Sequence, residues 1–166
     1  MKITFLGTGT SQGVPVIACD CETCKSGDPR DKRLRTSLLL ENAETTLVID
    51  AGPDFRQQML RENVTKLDSI VLTHEHKDHI AGMDDVRAFN YKTSDAIDIY
   101  AEDRVQKAIR REFSYVFAEY QYPGVPKMRL IDIPQYGFDV GTIRLIPVRV
   151  FHYRLPIYGF RTGSFA

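Results

Sequence analysis

The chain has 166 residues, 43% apolar, 27% charged and 10% aromatic, a balance that suits one globular domain and excludes a disordered or fibrous polypeptide. Lys plus Arg and Asp plus Glu each number 22, so the formal charge is zero and binding of nucleic acid or anionic membrane through bulk charge is disfavoured. No run approaches the roughly 18 apolar residues of a membrane span. Met1 to Phe5 enters a strand-like segment without a signal-peptide core, so the expected compartment is cytoplasmic.

Lys2 to Leu6 alternates like a strand and ends in Gly7-Thr8-Gly9-Thr10-Ser11-Gln12-Gly13, small residues that permit tight turns and close backbone approach. The loop continues through Cys19, Cys21 and Cys24 and the charged run Asp28 to Arg35, about 25 residues that need an internal staple. Thr36 to Leu40 and Thr45 to Ile49 read as a β-hairpin. Pro53 then opens a short helix whose inner side is expected to carry Phe55, Met59 and Leu60. Ser69 to Leu72 is a short apolar run, the pattern of a strand covered on both faces. Ile80 to Phe89 reads as a helix, Ile97 to Ala101 as a strand, and Glu102 to Phe117 as an amphipathic helix with Val105, Ile109, Phe113 and Val116 on one side. The remainder is β-rich: Met128 to Ile133, Phe138 to Val140, Thr142 to Phe151 and Tyr158 to Thr162. Alternating strands and helices followed by strands predict an α/β layered domain spanning residues 1–166.

Three of the four histidines fall in Thr73-His74-Glu75-His76-Lys77-Asp78-His79, directly after the buried-type strand. His74 and His76 are two apart and can point one way; Asp78 and His79 follow at the start of a helix. Imidazole and carboxylate donors suit Zn²⁺, Mn²⁺ or Fe²⁺. Adjacent Asp78 and His79 are expected to diverge, so two metals sharing the cluster fit better than one tetrahedral ion. The plain alternative is a polar surface loop. Three cysteines in six residues are too close for a disulfide framework and point to metal rather than to cross-linking.

The His-x-His-x-Asp-His motif with Gly82 following, the opening Phe5-Leu6-Gly7-Thr8-Gly9-Thr10, the Arg35-Thr36-Ser37 strand entry and the Val48-Ile49-Asp50-Ala51-Gly52 strand end resemble the metallo-β-lactamase superfamily. The resemblance implies an αβ/βα sandwich, with His74 and His76 on one metal and Asp78 and His79 on a second. It also implies that His152, in Val150-Phe151-His152-Tyr153, joins His74 and His76. Cys19-x-Cys21-x-x-Cys24 is similar to the branch containing the phosphonate-pathway cyclic-phosphate phosphodiesterase, where such cysteines hold a structural zinc. A closed thiolate site would replace the core a long loop lacks.

In that family a later aspartate and a further histidine complete the second metal. No histidine follows His152 and no aspartate follows Asp139, so the chain corresponds to about two thirds of such an enzyme and a C-terminally truncated sandwich is expected. The function implied is a metal-dependent hydrolase, most specifically a phosphodiesterase on small cyclic or nucleotide-like phosphodiesters. It would use two divalent ions (Zn or Mn), with Asp78 as the catalytic carboxylate that orients or deprotonates water. The alternatives are a tRNA 3′-processing-type endoribonuclease, and a non-catalytic metal-binding fragment completed by a partner. The expected partners are a small phosphodiester and a second copy of the chain; neither membrane nor nucleic acid is expected. Asp50 reads equally as an acceptor behind a ligand imidazole or as the cap of the following helix. Arg35, Asp84, Arg87 and Arg161 read as phosphate contacts or, more simply, as surface pairs.

Overall fold

A computed structural model describes residues 1–166. Strands β1 (Lys2–Gly7), β2 (Ser37–Glu41) and β3 (Thr46–Ile49) pair antiparallel, and β4 (Ser69–Val71), β5 (Ile97–Ala101) and β6 (Met128–Asp132) extend the same sheet in parallel, in the order of their numbering. A second, antiparallel sheet contains β7 (Phe138–Val140), β8 (Ile143–His152) and β9 (Leu155–Arg161).

Alternation along the strands builds two cores from one sheet. Leu39, Val48, Ile70 and Ile99 face the helices α2 (Phe55–Arg61), α3 (Lys77–Ile80), α4 (Arg87–Thr93) and α5 (Asp103–Glu112), whose Phe55, Ile80, Phe89, Val105 and Ile109 complete the larger cluster. Leu40, Leu47, Ile49 and Val71 face the second sheet and meet Phe138, Val140, Leu145 and Phe160. The result is the helix-sheet-sheet layering of the metallo-β-lactamase fold, with three strands in the second sheet. A cavity of about 330 Å³ remains between the sheets, lined by Leu38, Leu40, Leu145, Phe160 and Phe165 among others.

Three local expectations change. The helix after Pro53 begins at Phe55, and its outward side includes Leu60, which is 60% exposed, while Gln58 is buried in its place. The segment Ile80 to Phe89 is not one helix: α3 stops at Ile80, a 3₁₀ turn covers Met83–Val86, and α4 follows. Gly82 packs so closely on the β3–α2 turn that a Cβ there would lie 2.0 Å from the Gly52 carbonyl oxygen, and the chain bends to make that approach. Helix α5 likewise ends at Glu112, with a separate 3₁₀ turn at Ser114–Val116.

The loop between β1 and β2 contains the single-turn helix α1 (Glu22–Lys25) and is tied to the sheet at its ends. Isolated bridges join Gly9 to Arg35 and Val14 to Arg33. Arg35 donates from Nε to the Ser11 carbonyl at 2.9 Å and pairs with Asp54 at 2.8 Å, which anchors the Gly-rich turn. Asp54 precedes α2 but spends its carboxylate on Arg35 instead of capping the helix with its side chain.

Candidate metal centre

The histidine motif begins where β4 ends, beside the end of β3, at the carboxyl edge of the parallel strands where α/β sheets commonly bind ligands. His74 is buried; His76 and His152 are exposed, and one nitrogen from each of the three lies within 4.8 Å of the others. The His74–His152 and His76–His152 ring centroids are 5.7 and 5.4 Å apart, so the hairpin β8–β9 delivers His152 against the motif across the gap between the sheets.

Asp50 organises the buried side of this cluster. It sits just after β3 in the left-handed backbone region (φ 63), which Asp tolerates better than most residues, and is buried. Its Oδ1 accepts from the Thr73 backbone N–H at 2.9 Å, and its Oδ2 accepts from the Thr73 hydroxyl at 2.8 Å and from His79 Nδ1 at 2.7 Å. With its only proton given to Asp50, the Thr73 hydroxyl accepts from His74 Nδ1 at 2.8 Å. These bonds set the tautomer of His74, which is left with a bare Nε2, and they direct the Nδ1 proton of His79 to Asp50. His74 Nε2 faces His76 Nδ1 at 3.2 Å, and His79 Nε2 lies 3.2 Å from Asp78 Oδ2. Of the two roles open to Asp50, the structure selects the acceptor behind the imidazoles, not the helix cap.

Asp78 and His79 do not diverge as their adjacency suggested. The His79 ring turns its Nδ1 to Asp50, which leaves its Nε2 beside Asp78, and its centroid is 4.0 Å from that of His74. Backbone bonds from Ala51 N to the His79 carbonyl (2.8 Å) and from Gly82 N to the Ala51 carbonyl (2.9 Å) hold α3 against the β3 end.

The donor chemistry fits a cation. Burial, reinforced by the neighbouring His79, His76, His152 and Arg104, pushes the His74 pKa down to about 3, which keeps its lone pair free of a proton at neutral pH. At His79 burial also opposes the charge, but the hydrogen bond and charge of Asp50, with Asp78, outweigh it and raise the proton affinity. A site that sets an imidazole unable to take a second proton beside the carboxylates of Asp50 and Asp78 suits a divalent ion better than protons.

The second group is at Cys19, Cys21 and Cys24, whose sulfurs also lie within 4.8 Å of one another. The Cys21 sulfur accepts from the Cys24 N–H at 3.5 Å, which favours its thiolate, and the Cys24 sulfur accepts from the Val16 N–H at 3.3 Å. That bond favours a Cys24 thiolate too, but the adjacent cysteines and burial oppose it and leave the thiol less acidic. Crowded sulfurs that resist joint ionisation are what a bound cation relieves.

The four remaining candidates make contacts within the chain. Arg35 pairs with Asp54, Asp84 with Arg87 (3.4 Å) and the Tyr115 hydroxyl, and Arg161 donates to the Gly163 carbonyl. Two residues the sequence reading passed over stand at the site instead: Tyr153 and Arg154 line, with His76, His152 and Leu155, an open cleft of about 480 Å³. Their adjacency to His152 in the chain was the available signal.

A histidine-lined centre on the strand ends of a two-sheet sandwich with one helical layer defines the class of molecule. Residues 45–165 match the Beta-lactamase superfamily domain, and the chain belongs to that family. It is similar to a diphosphatase of the PhnP family, with a TM-score of 0.88 and 38% identity over 98% of this chain and 61% of that one. It is 44% identical to part of an octanoyltransferase of Porphyromonas gingivalis, covering 100% of this chain and 34% of that protein. A ribonuclease Z of Lacticaseibacillus casei is 27% identical over 97% of this chain and 47% of its own length. The chain thus spans about a third to a half of the curated relatives it matches. No helix is long and apolar enough to cross a membrane.

Proposed function

We propose that the chain carries the metal-binding half of a hydrolase acting on phosphodiesters or phosphoanhydrides. The observation that carries this reading is the convergence of His74, His76 and His152 donor atoms within 4.8 Å, with His74 held by Asp50 through Thr73. His74, His76 and His152 would hold one divalent ion, Zn or Mn, and Asp78 and His79 would contribute to a second. Cys19, Cys21 and Cys24 would hold a structural zinc. When bound, the active-site metal supplies Lewis acidity toward a phosphoryl oxygen and lowers the pKa of water.

The chain's own residues then divide the work. Asp50 and Thr73 keep His74 in the tautomer that presents Nε2, and Asp50 holds the Nδ1 proton of His79. The Asp78 carboxylate orients the attacking water and takes its proton. The Arg154 guanidinium, the cation lining the cleft beside His152, binds the substrate's phosphate anion, and Tyr153 beside it offers a ring to an organic substituent. The similarity to a diphosphatase of the PhnP family supports phosphoryl chemistry, and the cysteine group supports the same branch.

The test is hydrolysis of bis(4-nitrophenyl) phosphate and of a nucleotide-containing diphosphate by metal-reconstituted protein and by the His76→Ala variant, with metal content measured by elemental mass spectrometry. Turnover abolished by His76→Ala supports the reading. Bound metal without turnover under Zn²⁺ or Mn²⁺ favours the non-catalytic metal-binding fragment. Alignment of ribonuclease Z along nearly the whole chain favours a second substrate, precursor tRNA, which is assayed in parallel; the zero net charge weighs against it.

A further inference from the structure

The β8–β9 hairpin reaches the metal centre with little core to hold it. Along its outer half Val148 and Val150 are 41% exposed, Phe151 is 70% exposed and Tyr153 85% exposed, whereas the apolar contact with the first sheet is made lower down, by Leu145, Tyr158 and Phe160. Something other than burial must set where His152 points.

We infer that Arg104, in the first turn of α5, is the positioning residue that holds the hairpin so that His152 meets His74 and His76. Its guanidinium donates from Nη2 to the Pro156 carbonyl at 2.8 Å, and Pro156 pairs with Phe151, one rung from the His152–Leu155 rung. The same guanidinium lies 3.3 Å from Glu75, the residue between His74 and His76. One planar cation therefore bridges the backbone beside the third histidine and the side chain between the first two. Glu75 depends on it: its Oε2 is buried without a hydrogen-bond partner, and Arg104 is its only ion pair. Glu102, two residues earlier, adds a parallel tie by accepting from both Nη atoms of Arg149 on β8 at 2.7 and 3.1 Å, and Arg149 lies over the Tyr158 ring at 3.9 Å.

Exposed ion pairs alone contribute little to stability. Arg104 acts instead by reaching two acceptors from one rigid fork, Nη2 on the Pro156 carbonyl next to the ligand rung and Nη1 3.3 Å from Glu75, which a guanidinium allows and an ammonium does not. Mutation of residues that orient metal ligands typically costs about tenfold to a hundredfold in metal affinity.

This inference rests on the metal-site reading above, and the test separates the two. Co²⁺ is titrated into the whole protein while imidazole N–H proton resonances shifted by the paramagnetic ion are followed, which reports histidine ligation and not the cysteine group. Arg104→Ala is expected to weaken binding by about tenfold. In a His152→Ala background the same substitution is expected to change affinity by less than about twofold, because its effect passes through His152. Arg104→Lys is expected to fall between wild type and Arg104→Ala, and it provides the comparison if Arg104→Ala does not fold. Unchanged affinity in both Arg104 variants, or an equal loss with and without His152, would overturn the role of Arg104 while leaving the metal site intact. Absence of shifted resonances in the wild type would overturn the metal-site reading, and this inference with it.

Discussion

The Asp50 carboxylate accepts the His79 Nδ1 proton at 2.7 Å, and through Thr73 it reaches His74 as well, so one buried acid at the end of β3 orients two histidines of the motif that follows β4. The parallel pairing of β3 with β4 is what brings these strand ends side by side.

Removing that acid should therefore disable the centre without touching a ligand atom. Asp50→Ala is expected to weaken divalent-metal affinity by about ten- to a hundredfold. Loss of the shared acceptor is also expected to cost about 1–3 kcal/mol of stability in the metal-free protein. Competition with a chromophoric chelator and urea unfolding measure the two effects separately.

Acid should destabilise the metal-free protein through His74. Its folded-state pKa, about 3, lies below the ordinary value of 6.5, so between those limits the unfolded chain binds a proton that the folded chain does not. Stability is thus retained above pH 6.5 and lost as pH falls toward 3, by up to about 1.4 kcal/mol per pH unit for this one proton. The raised His79 works in the opposite sense and only at higher pH, where its contribution is lost as pH climbs through its folded value. Urea midpoints at pH 7 and 5 should show a smaller difference in His74→Gln than in wild type.

The two glycines that let α3 approach the β3 end should tolerate no side chain. A Cβ on Gly52 would lie 1.9 Å from the Asp78 carbonyl oxygen, and one on Gly82 2.0 Å from the Gly52 carbonyl oxygen; both obstacles are backbone. Gly52→Ala and Gly82→Ala are expected to cost about 1–3 kcal/mol or more in urea unfolding. Gly27→Ala, with nothing within 4 Å, is expected to stay within about 0.5 kcal/mol of wild type.

The cysteine group should staple the long β1–β2 loop when it holds a metal. Cys21→Ser, or chelation of the wild type, is expected to expose segment 8–35 to limited proteolysis while the sheet residues stay protected. Mass spectrometry of the early fragments locates the cuts. Identical fragments with and without chelator would rule out a stapling metal.

Most strands and the type of site were legible in the chain, because both are written in local periodicity and residue chemistry. The apolar run Ser69 to Leu72 announces two covered faces, and Ile70 and Val71 do fall in different cores, while the donor types of His74 to His79 point to metal chemistry. What stayed illegible depends on packing. Leu60 turned outward and Gln58 inward because α2 rotated to its neighbours, and the Ile80 to Phe89 helix broke because Gly82 had to meet Gly52. Asp78 and His79 meet because Asp50, at the neighbouring strand end, turns the His79 ring so that its Nε2 lies 3.2 Å from Asp78, a relation that spacing along the chain does not predict.

By itself, then, the sequence determined the candidate donor types, the strand ends and turns that carry them and the family, since hydrophobic period and donor chemistry are properties of short segments. Only the tertiary structure decided that Asp50 serves His79 and Thr73 instead of a helix cap, that Arg154 lines the cleft, and that Arg104 joins Glu75 to the hairpin of His152. Those relations link residues far apart in the chain. They exist only once two apolar sheet faces have met, and a period-two pattern says which side of a strand is buried but not what it will be buried against.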